Sequence, residues 1–273
     1  MHSLFKLPLL LVALLLAATL FTAAPLIAAS FEFTITAQAA FDKMTAAAKK
    51  EIAVQLKEQY AQLQAVQLAA IELDKKINAL HYSNEEELLA TGRRIKEIDL
   101  HKISQLNTDV KQTRDKYEPL FKLYEVKKQQ LAVAKSLKNK ELMAVLKVQV
   151  ESVKTAVSLA REDIRSKESA LKTAKAAVAS RSKQIKSTLS DIDALKIRIK
   201  AIKSKVSTTK RLFTAETASL NQAVRKSDST TTLRSFAKLL SSQQQINKYK
   251  QEILAYEQQI TSVIAKANSQ FTH

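Results

Sequence analysis

The chain lacks cysteine and tryptophan, and its 273 residues include one glycine and three prolines. Glycine and proline normally supply about 7% and about 5% of residues, because compact folds turn at frequent intervals. A chain with so few turn residues has few places to reverse direction. The composition therefore favours long helices over a compact enzyme fold, and helices of that kind need no disulfides.

Residues that carry chemistry are scattered. His2, His81, His101 and His273 include no pair at metal-ligand spacing, and no thiol assists them. Gly92 stands alone, so there is no glycine-rich loop to hold a phosphate. Serine and aspartate occur without a paired base. We expect no catalytic residue, no metal site, no cofactor and no enzymatic activity.

The N-terminal segment predicts export. After the single cation Lys6, residues 7–29 form an uncharged apolar run, and Ala37-Gln38-Ala39 has the small-x-small pattern of a signal-peptidase site. Residues 1–39 are interpreted as a signal peptide cleaved before Ala40. The rival is an uncleaved membrane anchor, because about 20 apolar residues span a bilayer. Cleavage after Ala29 is a third option.

A seven-residue apolar repeat runs through the second half of the chain. A second row, three residues further on, is only about half apolar. Together the two rows resemble the two seam rows of a left-handed coiled coil, one strong and one patchy. The strong row consists of Val150, Val157, Ile164, Leu171, Val178, Ile185, Ile192, Ile199, Val206, Phe213 and Leu220.

Helix boundaries are predicted from caps and breakers. Ser83 and Asn84, followed by glutamates, indicate a turn near residues 81–84. Pro119 should end or kink a helix near Tyr117. Residues 227–233 are poor helix formers and indicate a reversal. A weaker turn at residues 136–140 stays open.

These signals predict an all-α fold: an elongated coiled coil or antiparallel helical rod with one very long central helix. The expected parts are an N-terminal helical hairpin (40–118), a long basic coiled-coil helix (119–227) and a C-terminal amphipathic helix that folds back (228–273). Either folding back or association of copies covers the seam, and the oligomer number stays open.

The net charge is +18, and residues 121–227 hold 25 Lys and Arg against 9 Asp and Glu. Outside the cytoplasm, such a surface attracts phospholipid head groups and anionic surface polymers. The same charges would bind nucleic acid, but the leader and the lack of interleaved aromatic residues argue against that role in the cell. The densest candidate anion-binding patch is Lys196, Arg198, Lys200, Lys203, Lys205, Lys210 and Arg211.

The leader and the heptads from Val150 to Leu220 resemble exported coiled-coil proteins of Gram-positive bacteria. In charge and leader the chain is also similar to the Skp family of periplasmic chaperones, although it has no strand segments for that family's β-body. The resemblance implies an extracellular or cell-surface structural protein. Our main hypothesis is a scaffold that contacts anionic surface or wall components, and the alternative is a holdase-like chaperone or secretion-system component.

Overall fold

The structure, a computed structural model, describes residues 30–271, and its regular secondary structure is entirely helical. The prediction of an all-α fold is confirmed. The apolar run at residues 7–29, His2 and His273 lie outside the described residues. The helices are α1 (Ile35–Ala47), α2 (Lys50–Glu97), α3 (Leu100–Ser136), α4 (Lys140–Arg225) and α5 (Ser229–Ser269).

The chain divides into two compact units. Among the described residues, the first unit contains residues 30–80 together with Ile199–Ala255. The second unit contains His81–Arg198 and residues 256–271. Each unit therefore combines parts of α2, α4 and α5. Helix α1 belongs to the first unit, and α3 belongs to the second.

An aromatic cluster forms part of the core of the first unit. Phe33 lies 5.1 Å from the ring of Phe41, and Phe41 lies 5.8 Å from Phe236. Phe31 packs edge-on against Phe33 at 4.7 Å. Phe31 and Phe33 precede α1, whose first turn is capped by the hydroxyl of Thr34. The segment ahead of α1 is thus part of this core.

In the first unit, α2 and α5 run in the same direction. The side-chain amide of Asn247 donates to the carbonyl of Val66 at 2.9 Å, and Lys250 donates to the carbonyl of Ala70 at 3.2 Å. Residue numbers increase along both helices from the first contact to the second, as they do in parallel helices. Helix α4 runs antiparallel to α5, since the Asp228 turn joins them directly.

In the second unit, α2 and α3 both run antiparallel to α4. Lys196 of α4 bonds Glu85 of α2 at 2.8 Å, and Arg114 of α3 bonds Glu168 of α4 through its Nε at 3.1 Å. Helix α3 therefore continues the direction of α2. The break between them at Asp99, which has a left-handed φ of 49°, does not reverse the chain.

The chain reverses at two turns without glycine. Lys138 and Ser227 take the left-handed conformation after α3 and α4, with φ of 52° and 54°. The next backbone N–H groups, of Asn139 and Asp228, reach back five residues to carbonyls of the preceding helix. This is the Schellman arrangement, which satisfies carbonyls that a helix end leaves unpaired.

The turn predicted at residues 81–84 is wrong, because α2 continues through it to Glu97. Ser83 is exposed on the helix, whereas Asn84 is buried and bonded to α5. One of the two residues that suggested a cap, Asn84, instead bonds the neighbouring helix α5. The hairpin expected within residues 40–118 is therefore absent.

The helix end predicted near Pro119 is also wrong. Pro119 lies inside α3, and its side chain is exposed. The proline ring leaves a backbone carbonyl one turn earlier without its helical hydrogen bond, but on this exposed face of α3 water can satisfy that carbonyl. Tyr117 and Leu120, on the other face, stay partly buried against α4. The chain reverses instead at residues 137–139, so the long helix is α4 and begins at Lys140 rather than at residue 119.

Candidate functional site

The predicted seam row of α4 faces inward along its length. Ile164, Leu171 and Val178 are partly buried, and the other members of the row are buried. Ile185 and Leu220, for example, have no exposed surface. The row therefore serves helix packing.

The predicted anion-binding patch falls into both units. In the second unit, Lys196 is held by Glu85 at 2.8 Å. The guanidinium of Arg198 lies 5.9 Å from the ring centre of Tyr256 on α5. Both cations thus have partners on neighbouring helices.

The remaining patch residues belong to the first unit. The ammonium of Lys205 lies 5.8 Å from the ring centre of Tyr249. Lys200 and Arg211 are exposed, whereas Lys203 and Lys210 are partly buried.

Lys210 is the patch residue with a shifted pKa. Burial lowers the pKa of its ammonium, and the nearby cation of Lys250 lowers that pKa further, against an opposing effect of Asp74. Lys196, Lys203 and Lys210 share one heptad position, and Arg198 and Lys205 share another. The patch cations therefore lie on different faces of α4.

Helix α5 carries a buried row that sequence reasoning missed. Three consecutive members of the row are polar, although all of its members are at least nine-tenths buried. In the sequence its members recur every seven residues. The three polar members do not follow the apolar pattern that normally indicates a buried row. The row consists of Phe236, Gln243, Lys250, Glu257 and Ile264.

Partners on α2 satisfy the two charged members of this row. In the first unit, Lys250 bonds the Asp74 carboxylate at 2.7 Å. In the second unit, Glu257 lies 3.0 Å from Nδ1 of His81 and accepts a 2.8 Å bond from the amide of Asn84. These charges fix how α2 and α5 are paired within each unit, because each buried charge has to meet its partner.

A basic surface, which we call the basic flank, lies on the hairpin that α3 and α4 form in the second unit. Its lysines recur every seven residues on each helix, and all of them are exposed. The basic flank consists of Lys128 and Lys135 on α3 and Lys140, Lys147 and Lys154 on α4.

Contacts further down the hairpin show that these lysines share one side. Arg114 and Glu168 occupy the same heptad position on the two helices, and they bond across the hairpin. One heptad closer to the tip, Phe121 and Arg161 line the same shallow depression as Glu168. Two antiparallel helices place equivalent heptad positions on the same side of their seam.

The reversal at residues 137–139 brings Lys135 and Lys140 to the same end of the hairpin. One heptad further from that end, Lys128 and Lys147 lie on the same side of the seam. Such flanking positions of coiled coils usually hold opposite charges that pair across the helices. Here like charges share one side, which is unfavourable unless an anion lies between them.

Only part of the basic flank is neutralised. Lys128 pairs with Glu125 at 3.1 Å, and Lys154 pairs with Glu151 at 3.1 Å. Both are exposed pairs within one helix, of a kind that contributes little stability. In the part of the chain that the structure describes, no carboxylate lies within ion-pair distance of the other three lysines, Lys135, Lys140 and Lys147.

Two other kinds of site are absent from residues 30–271. No helix in that range is both long and apolar enough to cross a membrane. No three His, Asp or Glu side chains in it gather as a metal site would require. Neither family models, nor curated proteins, nor solved structures give a match to this chain.

Proposed function

We propose that the protein is an exported, non-enzymatic coiled-coil scaffold that binds anionic polymers or phospholipid head groups at the cell surface. The observation that carries the proposal is the basic flank, on which Lys135, Lys140 and Lys147 share one side and have no carboxylate of the described residues within ion-pair distance. A phosphate-rich surface would supply the missing negative charge.

The flank suits a repeated anion better than a small ligand. Its lysines extend over one heptad of α3 and two heptads of α4, and two heptads correspond to about 20 Å of helix axis. Exposed lysine side chains are flexible and bind phosphate as point charges, without the fixed geometry that selects one small molecule. Affinity should therefore depend on charge density and ionic strength.

A scaffold role is supported by the bonding of the buried ionisable groups, which pair with neighbouring helices. Asp74 and Glu257 are bonded to Lys250 and His81 of neighbouring helices, in positions that serve packing. We therefore assign no reaction to them.

Export is proposed with a revised processing site. Ala37-Gln38-Ala39 lies inside α1, and Ala37 is buried with Phe31 and Phe33 in the first unit. A chain cut before Ala40 would lose all three core side chains, whereas a cut after Ala29 keeps them. We therefore favour the third option from the sequence, cleavage before Ser30.

The test measures binding to phosphatidylcholine vesicles with and without phosphatidylglycerol, and to soluble polyphosphate. The variant is Lys135→Gln/Lys140→Gln/Lys147→Gln. The matched control, Lys43→Gln/Lys49→Gln/Lys57→Gln, removes the same charge from exposed lysines of the first unit. At about 1 kcal/mol for each lysine near an anionic surface, the flank variant should bind about 100-fold more weakly than the unaltered protein.

The two anion sources give different outcomes. Loss of binding to both ligands identifies a general polyanion surface, and loss with vesicles alone identifies head groups. Equal weakening by the control variant would reject the basic flank. Suppression of client aggregation that persists at a salt concentration abolishing anion binding would favour the holdase alternative instead.

A further inference from the structure

The side of the α3–α4 hairpin opposite the basic flank is uncharged. Every residue of α3 and α4 at the two heptad positions on this side, between Lys116 and Asp163, is neutral and exposed. We call this surface the uncharged band. Its members are Pro119, Leu123, Val126, Gln130 and Val133 on α3, Leu137 directly after α3, and Leu142, Val145, Gln149, Ser152, Ala156 and Leu159 on α4.

The band exposes aliphatic side chains to an unusual degree. Leu137 is 69% exposed, Leu159 64% and Val133 57%. Single exposed aliphatic residues are normal on a protein surface, but a contiguous apolar surface marks an interaction site. Each helix of the hairpin thus has two apolar stripes, one in the seam with the other helix and one facing solvent.

We propose that the uncharged band is a self-association surface, against which the band of a second copy of this chain packs. A helix apolar at both seam positions and along one flank is typical of a four-helix bundle, in which it contacts two neighbours. The hairpin supplies two helices. The second copy supplies the other two.

Charge restricts which faces can meet. A chain of net charge +18 repels its own copies, and the lysines of the basic flank would oppose contact on that side. The uncharged band is the side of the hairpin on which two copies can approach without burying a cation. Lys116 and Asp163, of opposite sign, end the band.

The polar residues of the band favour a protein partner over lipid. Gln130 and Gln149 occupy the same heptad position, one on each helix, in the central part of the band. In a symmetric dimer, amides can bond amides of the other copy, whereas in hydrocarbon they would lose hydrogen bonds. The band also contains no aromatic residue of the type that anchors proteins at a membrane interface.

The size of the band predicts the strength of the contact. Residues 119–137 correspond to about 27 Å of helix, and two helices of about 10 Å each give about 540 Å² per copy. The total of about 1,100 Å² lies at the lower end of specific interfaces. We therefore expect a weak, reversible dimer with a dissociation constant in the micromolar range, as for other small interfaces.

The test is sedimentation equilibrium of the full chain across a range of concentrations. Val133→Glu/Val145→Glu places carboxylates in the band at exposed positions, where folding should be unaffected, and should weaken the dimer at least about tenfold. The control, Leu89→Glu/Ile197→Glu, adds the same charge at exposed aliphatic positions elsewhere in the second unit. It should leave the dimer unchanged.

Cross-linking gives a second measurement, because the chain has no cysteine of its own. Val133→Cys should be cross-linked between copies by a short bismaleimide. Ala132→Cys, on the neighbouring position outside the band, should not.

A protein that stays monomeric above the expected dissociation constant overturns the proposal. So does a dimer that resists Val133→Glu/Val145→Glu. Binding to uncharged vesicles or to unfolded clients that this variant abolishes in a monomeric protein would assign the band to lipid or client. The lysine variants of the basic flank should still dimerise, so failure of the anion-binding proposal leaves this test intact.

Discussion

The ammonium of Lys250 lies 2.7 Å from the carboxylate of Asp74, and the Lys250 side chain has no exposed surface. The same ammonium donates to the carbonyl of Ala70 at 3.2 Å. One oxygen of Asp74 is buried without a hydrogen-bond partner. The pair therefore specifies how α2 and α5 meet in the first unit, at the expense of some stability.

Removing one member of this pair should be more harmful than removing both. Asp74→Ala leaves a buried cation and should lower the free energy of unfolding by about 3–5 kcal/mol. Asp74→Leu/Lys250→Met should be neutral or stabilising, because apolar side chains then fill the site. Urea unfolding of the single and double variants measures the difference. A double variant as unstable as Asp74→Ala would contradict this account.

Glycine should stabilise the two reversals. Lys138 and Ser227 hold left-handed φ values that strain a residue with a side chain by about 1–2 kcal/mol. After the flexibility that glycine adds to the unfolded chain is subtracted, Lys138→Gly and Ser227→Gly should each stabilise by about 0.5–1 kcal/mol. Ala132→Gly, within α3, is the control and should destabilise by a similar amount. Thermal unfolding distinguishes the opposite signs.

The two turns should differ in their response to acid. Asp228 accepts from the backbone N–H of Thr231 at 3.0 Å, and Asn139 accepts from that of Leu142 at 3.0 Å. Hydrogen bonds from the Thr231 side chain and backbone hold the pKa of Asp228 below its ordinary value of 3.8. The stability that this cap contributes is present above the unfolded pKa and is lost as pH falls through the lower folded pKa.

The measurement compares unfolding of Asp228→Ala and Asn139→Ala with that of the unaltered protein from neutral pH to below pH 3. The loss caused by Asp228→Ala should shrink with acidification. The loss caused by Asn139→Ala, a neutral cap, should stay constant. Parallel pH profiles would show that the ionised form of Asp228 contributes nothing as a cap.

The proposed processing site predicts Ser30 as the N-terminal residue of the mature protein. A chain beginning at Ala40 lacks Phe31 and Phe33, which are 5% and 8% exposed, and loss of each such ring costs about 3–5 kcal/mol. Intact mass and N-terminal sequencing of the protein from its producing cells identify the first residue. Recombinant chains starting at Ser30 and Ala40 should differ by more than about 5 kcal/mol in unfolding. Equal stabilities would restore the original assignment.

The helical fold and the seam of α4 follow from the sequence because burial repeats with the period of the helix. The lysine repeat of the basic flank was equally regular, since Lys140, Lys147 and Lys154 are seven residues apart. This repeat does not stand out in the sequence, because the densest local run of cations lies elsewhere in α4. Density along the chain does not place side chains on one face.

Turns were harder to predict than helices. Asn84 has the chemistry of a cap, but its amide contacts the carboxylate and carbonyl of Glu257, 173 residues away in the chain. A proline such as Pro119 ends a helix where the carbonyl that loses its hydrogen bond would be buried, or where the helix no longer packs against a neighbour. Neither condition can be read from neighbouring residues.

The sequence by itself determined that this chain is helical, that α4 buries one continuous apolar row, and that a strong positive charge accompanies it. Periodicity and composition are local properties of the chain. Tertiary structure decided where α3 ends, which residues of α2 meet Lys250 and Glu257, and that the lysines and the aliphatic residues of the hairpin lie on opposite sides. Those outcomes depend on register between distant helices, which buried charges and seam packing select together.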